Sequence, residues 1–256
     1  MLNRVVKTAT RTAKGVWAVT CEAGASVLTY ELYPLGVVPT PLPYLPKITN
    51  APLPERPPVL FIHGVFHNQA TFAWLKQRLA WAGWRNFREL NLFSSLRSIP
   101  SNAQRIKETV QSLKKSLGVN QVDIVAHSMG GILARYYVQC LGGDGNVRQL
   151  ITLATPHQGT QWSRYSLLPH LRELSPESQL LKKLNNIAPP TQTQGVCISG
   201  DLDFLLWPRG SEEWPGVRNI RLKGVGHAGL LFSRRVSQIL LSHLGTHVQS
   251  QEGLSS

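Results

Sequence analysis

Ser128 stands in Ala126-His127-Ser128-Met129-Gly130, directly after the apolar run Val122-Asp123-Ile124-Val125. A buried strand ending in small–x–Ser–x–Gly and running straight into a helix is the layout of a nucleophile elbow. The sharp turn lifts a serine hydroxyl to the top of a sheet, beside helix N–H groups that favour developing negative charge. Gly130-Gly131 followed by Ile-Leu-Ala-Arg-Tyr-Tyr-Val-Gln predicts that helix, which continues to about Cys140 before Gly142-Gly143. The chemistry implied is acyl transfer through Ser128.

A serine hydroxyl becomes a nucleophile only when a base takes its proton and an acid orients that base. With a strand–elbow–helix serine the chain order is Ser, then Asp or Glu, then His. Gly224-Val225-Gly226-His227-Ala228-Gly229 follows the last predicted strand, so His227 is the candidate base. His63 precedes Ser128, and the side chain of His127, within the elbow, cannot turn back onto the serine; His157 reads as structural. Asp201 and Asp203 both follow a strand between Ser128 and His227, and spacing leaves them tied. The oxyanion needs two donors. Met129 N–H follows the nucleophile, and Val65 N–H lies in the loop Phe61-Ile62-His63-Gly64-Val65-Phe66.

The elements that must carry these residues alternate from Pro57 onward. Strands are predicted at Val59–Ile62, Val122–Val125, Val147–Leu153, Gly195–Ile198 and Val217–Leu222. Helices are predicted over Thr71–Ala82, Ala103–Leu117 and Arg234–Leu244 from apolar positions three and four apart. This alternation predicts an α/β fold: a mostly parallel central sheet with helices on both faces and the working groups at the strands' carboxyl ends. Residues 159–194 interrupt the repeat as a helical, cap-like insertion, with a helix start predicted at Ser175-Pro176-Glu177.

The 256-residue chain is long enough for one substantial core. It divides into a basic N-terminal segment and proline-rich arm (1–56), a catalytic domain (57–247) and a polar tail (248–256). Eight of the 17 prolines fall between Pro39 and Pro58, which suits an extended arm lying on the domain. Residues 15–34 are expected to supply a helix or two that dock on the core. Cys21, Cys140 and Cys197 make no disulfide framework; one bridge or three free thiols are both allowed. No window suits a transmembrane helix, and no metal or cofactor is expected. The net charge of +13 is scattered without a nucleic-acid-binding motif, which argues against nucleic acid and favours an anionic lipid or fatty-acid interface, although solubility alone would also explain it. A secreted or membrane-surface location is accordingly expected over a cytoplasmic one.

The segments VLFIHGVFHN, VDIVAHSMGGILARYY, LITLATPHQGT, ISGDLDFLLWP and IRLKGVGHAGLLFSRRV occur in this order over residues 57–244. Together they resemble the α/β-hydrolase superfamily, and within it the bacterial true lipases and carboxylesterases, including the small bacillus-type lipases. The resemblance implies a nucleophile at Ser128, a base at His227 and oxyanion donors at Val65 and Met129. Its Gly-x-x-Asp-x-x-(Val/Leu) pattern falls on Gly200, Asp203 and Leu206, which breaks the tie in favour of Asp203. Ala126 replaces the first glycine of the elbow, as in the bacillus-type members. Nothing functional carries over to residues 1–56.

The expected function is therefore cleavage of carboxylic esters of lipid-like substrates through an acyl-enzyme. A thioesterase, amidase, polyester hydrolase or short-chain esterase on the same residues is the alternative, and an inactive binding module the non-enzymatic one. Trp162, Leu167 and the leucines of 159–194, with Phe66 and Met129, are expected to line an acyl pocket. The competing expectation is that these leucines only pack the insertion onto the sheet.

Overall fold

The computed structural model describes residues 20–27, 56–65, 67–92 and 97–245. Phe66, the proline-rich arm, most of the N-terminal segment and the tail lie outside the described residues. Helix α1 covers residues 20–27. Strands β1 (Val59–Ile62), β2 (Phe87–Leu90), β3 (Val122–His127), β4 (Val147–Leu153), β5 (Gln194–Gly200) and β6 (Arg218–Leu222) form one sheet in the order β2-β1-β3-β4-β5-β6. All five pairings are parallel. The helices are α2 (Ala73–Trp81), α3 (Ile99–Leu117), α4 (Met129–Cys140), α5 (Gln179–Asn186) and α6 (Arg234–Gly245).

β1, β3 and β4 are buried at every position, as parallel strands covered on both faces must be. Alternation then sorts their side chains between two cores. Leu60, Ile62, Ile124 and Leu150 pack with Ile106 and Val110 of α3 and Ile132 of α4. Val59, Phe61, Val125 and Ile151 pack with Leu75 and Leu79 of α2 and Val236 and Leu240 of α6. Arg148 of β4 pairs with buried Asp123 of β3 and also donates to Leu244 O at 2.9 Å, tying α6 to the sheet.

Three elements depart from the sequence expectation. β2 was not predicted: Phe87-Arg88-Glu89-Leu90 is a half-buried edge strand whose charges break any apolar run. Helix α3 begins at Ile99, four residues before the apolar stripe suggested. Ser98 caps it by accepting from Ser101 N–H at 3.4 Å, Pro100 sits in its first turn, and Glu173 accepts Ile99 N–H at 2.7 Å. Helix α5 does not start at Ser175-Pro176; Ser178 is its cap, accepting from Leu181 N–H at 3.2 Å, while the Ser175 hydroxyl bonds to Glu177 at 2.5 Å. At the other end of α3, Gly118 closes the helix at φ +66°, in the left-handed region glycine favours.

The insertion is short turns followed by α5, and it is anchored from below. The buried Arg135 guanidinium of α4 donates to Asn185 Oδ1 at 2.8 Å, Leu184 O at 3.0 Å and His157 O at 3.3 Å. Its leucines serve both expectations: Leu181 and Leu184 are core, while Leu174, also buried in that core, and Leu171, packed against it, line a cleft above the sheet. Among the described residues no helix is long and apolar enough to cross a membrane.

Candidate active site

Four loops leave the carboxyl ends of β1, β3, β5 and β6 on the same edge of the sheet, and each brings one candidate group. Ser128 follows β3 with φ 54° and ψ −129°, a strained conformation that a non-glycine residue adopts only when its surroundings impose it. Its N–H donates to Leu153 O at 2.8 Å, and its carbonyl accepts Gly131 N–H and the Thr155 hydroxyl, both at 3.0 Å. Close packing requires the neighbouring glycines. A Cβ on Gly130 would lie 2.5 Å from Ile62 O, and one on Gly131 would lie 2.1 Å from Thr155 Oγ1. A Cβ on Gly64 would lie 2.8 Å from the Ser128 Cβ, so the loop after β1 passes directly beside the serine.

The Nδ1–H of His227 donates to Asp203 Oδ2 at 2.7 Å, with the two side chains 12% and 1% exposed. The second oxygen of Asp203 accepts Leu205 N–H at 3.0 Å and Leu206 N–H at 3.3 Å, which fixes the carboxylate in its turn. Asp201 points elsewhere. Its Oδ1 accepts Gly224 N–H at 2.6 Å, joining the loops after β5 and β6. Leu202 N–H donates to Val225 O at 3.1 Å across the same seam. The two aspartates, tied by spacing, are thus separated by geometry: one meets the imidazole and the other closes a turn.

Val65, Ser128 and His227 line one cleft of about 600 Å³, within the ordinary size range of ligand pockets. Its walls include Leu171, Leu174, Leu202, Phe204 and Leu206. Met129 is buried beneath Ser128 as the first residue of α4, where a helix N–H has no acceptor within its own helix. Trp162 also lines the cleft, its indole N–H donating to Phe204 O at 2.9 Å. Leu167 does not join it. The turns before Leu171 carry Leu167 outward at 91% exposure, so its expected place in the pocket is corrected, and Leu171 and Leu174 occupy that wall. Phe66 lies outside the described residues.

The histidines not taken as the base surround the site, and one of them braces it. His63 donates from Nδ1 to Gly64 O at 2.8 Å and accepts Leu92 N–H on Nε2 at 3.0 Å, pinning the loop that carries Val65. Burial lowers its pKa to about 4. His67 is also lowered to about 4, by burial and then by the nearby His227 and His63. His157 stacks on Trp214 with ring centres 4.8 Å apart, and burial followed by the Arg135 charge holds it well below the usual histidine range. Sequence reasoning missed Glu22, which reaches the His227 loop from α1 and lines the cleft. Its only signal was that it is one of three acidic residues in the segment 1–56.

A family model described as palmitoyl protein thioesterase matches residues 58–195, just over half of the chain. The match contains Val65, Ser128 and Met129 and ends before Asp203 and His227. Among solved structures, the chain is similar to the mature lipase BlEst2 of Bacillus licheniformis, with a TM-score of 0.65 at 16% identity over 77% of this chain and 96% of that one. It is also similar to lipase B of Aspergillus fumigatus, with a TM-score of 0.64 at 16% identity, covering 74% of this chain and 52% of that one. A carboxylesterase of the thaumarchaeon Nitrososphaera gargenis gives a TM-score of 0.54 at 16% identity, covering 80% and 98%. At such identities the likeness establishes the fold, and the α/β-hydrolase architecture expected from the motifs is the one found. The family match supplies the rest: the chain is an α/β-hydrolase belonging to the palmitoyl protein thioesterase family.

Proposed function

We propose that this enzyme cleaves acyl esters of lipid-like substrates through a covalent acyl-enzyme on Ser128. The observation that carries the reading is the 2.7 Å hydrogen bond to Asp203 made by His227, which lines one cleft with Ser128. In the proposed cycle His227 Nε2 takes the Ser128 proton as the hydroxyl oxygen attacks the carbonyl carbon. The resulting oxyanion is held by the N–H groups of Val65 and Met129. His227 returns the proton to the leaving oxygen, and the acyl chain remains on Ser128. Water then repeats the sequence and releases the acid. Asp203 holds the imidazole in the required tautomer and stabilises its charged form.

Thioesters are the second reading, favoured by the family match over residues 58–195. The same groups serve either bond, and a thiolate leaves with less need of protonation than an alkoxide. The apolar walls favour long acyl chains for both, because each buried methylene contributes about 0.8 kcal/mol. A further element of the proposal is an anionic lipid surface as the place of action. Trp162, Tyr165, Leu167, Phe204, Leu205 and Trp207 are each more than half exposed around the insertion and the loop after β5, in a chain of net charge +13.

A chain-length series of p-nitrophenyl esters, run beside a palmitoyl thioester and emulsified triacylglycerol, tests the substrate class. The reading expects kcat/KM to rise from acetyl toward medium or long chains. A steep fall beyond butyryl would leave a short-chain esterase.

A further inference from the structure

The carboxylate of Glu22, on α1, accepts Ala228 N–H at 2.6 Å and Gly229 N–H at 2.8 Å. These are the first two main-chain donors after His227. They open the short turn Gly229–Phe232, whose cap position, Ala228, has no side-chain hydrogen bond of its own. An anion across two successive N–H groups at such an end is favoured by both charge and geometry. Glu22 thus acts as the missing cap, supplied from more than 200 residues away in the chain.

The loop is shaped to receive it. A Cβ on Gly226 would lie 2.4 Å from the Glu22 carboxyl carbon, and one on Gly229 would lie 2.8 Å from its Oε2. The glycines on either side of His227 therefore leave room for this side chain, a more specific requirement than loop flexibility. Glu22 and Ser26 also line the cleft together with Ser128 and His227.

We propose that Glu22 is a positioning residue for the hydrolytic reaction, making α1 part of the catalytic apparatus. It holds residues 226–229 so that the His227 imidazole keeps its place between Asp203 and Ser128. This rests on the reading of His227 as the base. Without the carboxylate, two N–H groups beside the base lose their acceptor and the loop gains freedom. The imidazole then spends less time in a productive orientation, while substrate binding on the cleft walls is little changed.

Full-length Glu22→Ala and Glu22→Gln are to be compared with wild type and Ser128→Ala on p-nitrophenyl butyrate. The Nδ1 proton resonance of His227, hydrogen-bonded to Asp203, is recorded for each by NMR. Glu22→Ala is expected to lower kcat about 10- to 100-fold with KM nearly constant, as misplacement of a reacting group does. Its Nδ1 resonance is expected to broaden or vanish. Glu22→Gln, which keeps one acceptor oxygen, should fall between and stands in if the alanine variant does not fold. Unchanged kcat with a sharp, unshifted resonance would overturn the proposal, whatever the melting temperature, because a merely structural cap would move only stability. Turnover surviving in Ser128→Ala would defeat the reading of the site instead. The resonance still decides the role of Glu22 in that case, since it needs no turnover.

Discussion

His127 donates its Nε2–H to the main-chain carbonyl of His227 at 3.1 Å, so the residue before the elbow serine is bonded to the residue proposed as its base. The rings meet edge to face with centres 4.8 Å apart. Burial first, then the neighbouring His227 and His67, holds His127 well below the usual histidine pKa. It is therefore the neutral Nε2–H form, and its bare Nδ1 meets no donor among the described residues. Elbow and base loop are braced to each other through one hydrogen bond.

That brace predicts the behaviour of His127→Phe, which keeps a ring and removes the donor. The His227 carbonyl is left buried without its partner, costing about 1–3 kcal/mol. Chemical denaturation should show the loss, and kcat should fall while KM holds. Wild-type stability and kcat together would remove the brace from the account.

The two aspartates separate in the same way. Asp203→Ala leaves the His227 Nδ1–H without its acceptor, and kcat should fall by about 10³–10⁴. Asp201→Ala loses the 2.6 Å bond to Gly224 N–H and should act on stability with a small kinetic effect. A large kcat loss from Asp201→Ala, with Asp203→Ala near wild type, would exchange their roles.

Acid should unfold the protein earlier than its carboxylates alone require. His63 and His67 have folded pKa values of about 4 against an ordinary 6.5. Between those values the unfolded chain binds more protons, so stability is lost as pH falls from 6.5 and the loss levels off below about 4. Each such histidine contributes up to about 1.4 kcal/mol per pH unit in that window. Melting temperatures measured from pH 7.5 to 4.5 should decline below 6.5. A flat profile down to pH 5 would mean that these histidines are not buried neutral.

The exposed aromatic rim predicts binding to a lipid surface. Sedimentation with anionic vesicles should capture the protein more strongly than with zwitterionic ones, and added salt should weaken the capture. Leu167→Ser with Trp207→Ser should reduce capture several-fold while leaving hydrolysis of a soluble short ester intact. Equal capture by both vesicle types, insensitive to the two changes, would count against the rim.

The buried strands and the elbow were legible in the sequence because parallel strands covered on both faces read as apolar runs, and because Ser128 needs small residues fixed around it. Val65, Ser128 and His227 follow from strand ends, Asp203 was preferred to Asp201 only through the family pattern, and the structure brings their loops to one cleft or one hydrogen bond. Spacing did not separate Asp201 from Asp203, because the distinction lies in which loop each carboxylate meets. Edge strand β2 escaped because it is half-buried and charged. Leu167 was misjudged because apolar composition does not say which side of a short turn faces the cleft. Glu22 escaped for a deeper reason: its partners are main-chain N–H groups, which leave no side-chain pattern to pair with it.

Mass spectrometry of the protein quenched during turnover of p-nitrophenyl palmitate reads directly whether the acyl chain is carried on Ser128. A palmitoyl adduct is expected on the peptide containing Ser128 and not in Ser128→Ala, which should lose essentially all turnover while melting like wild type. Palmitate on another residue, or hydrolysis persisting in Ser128→Ala, would contradict an acyl-enzyme on Ser128.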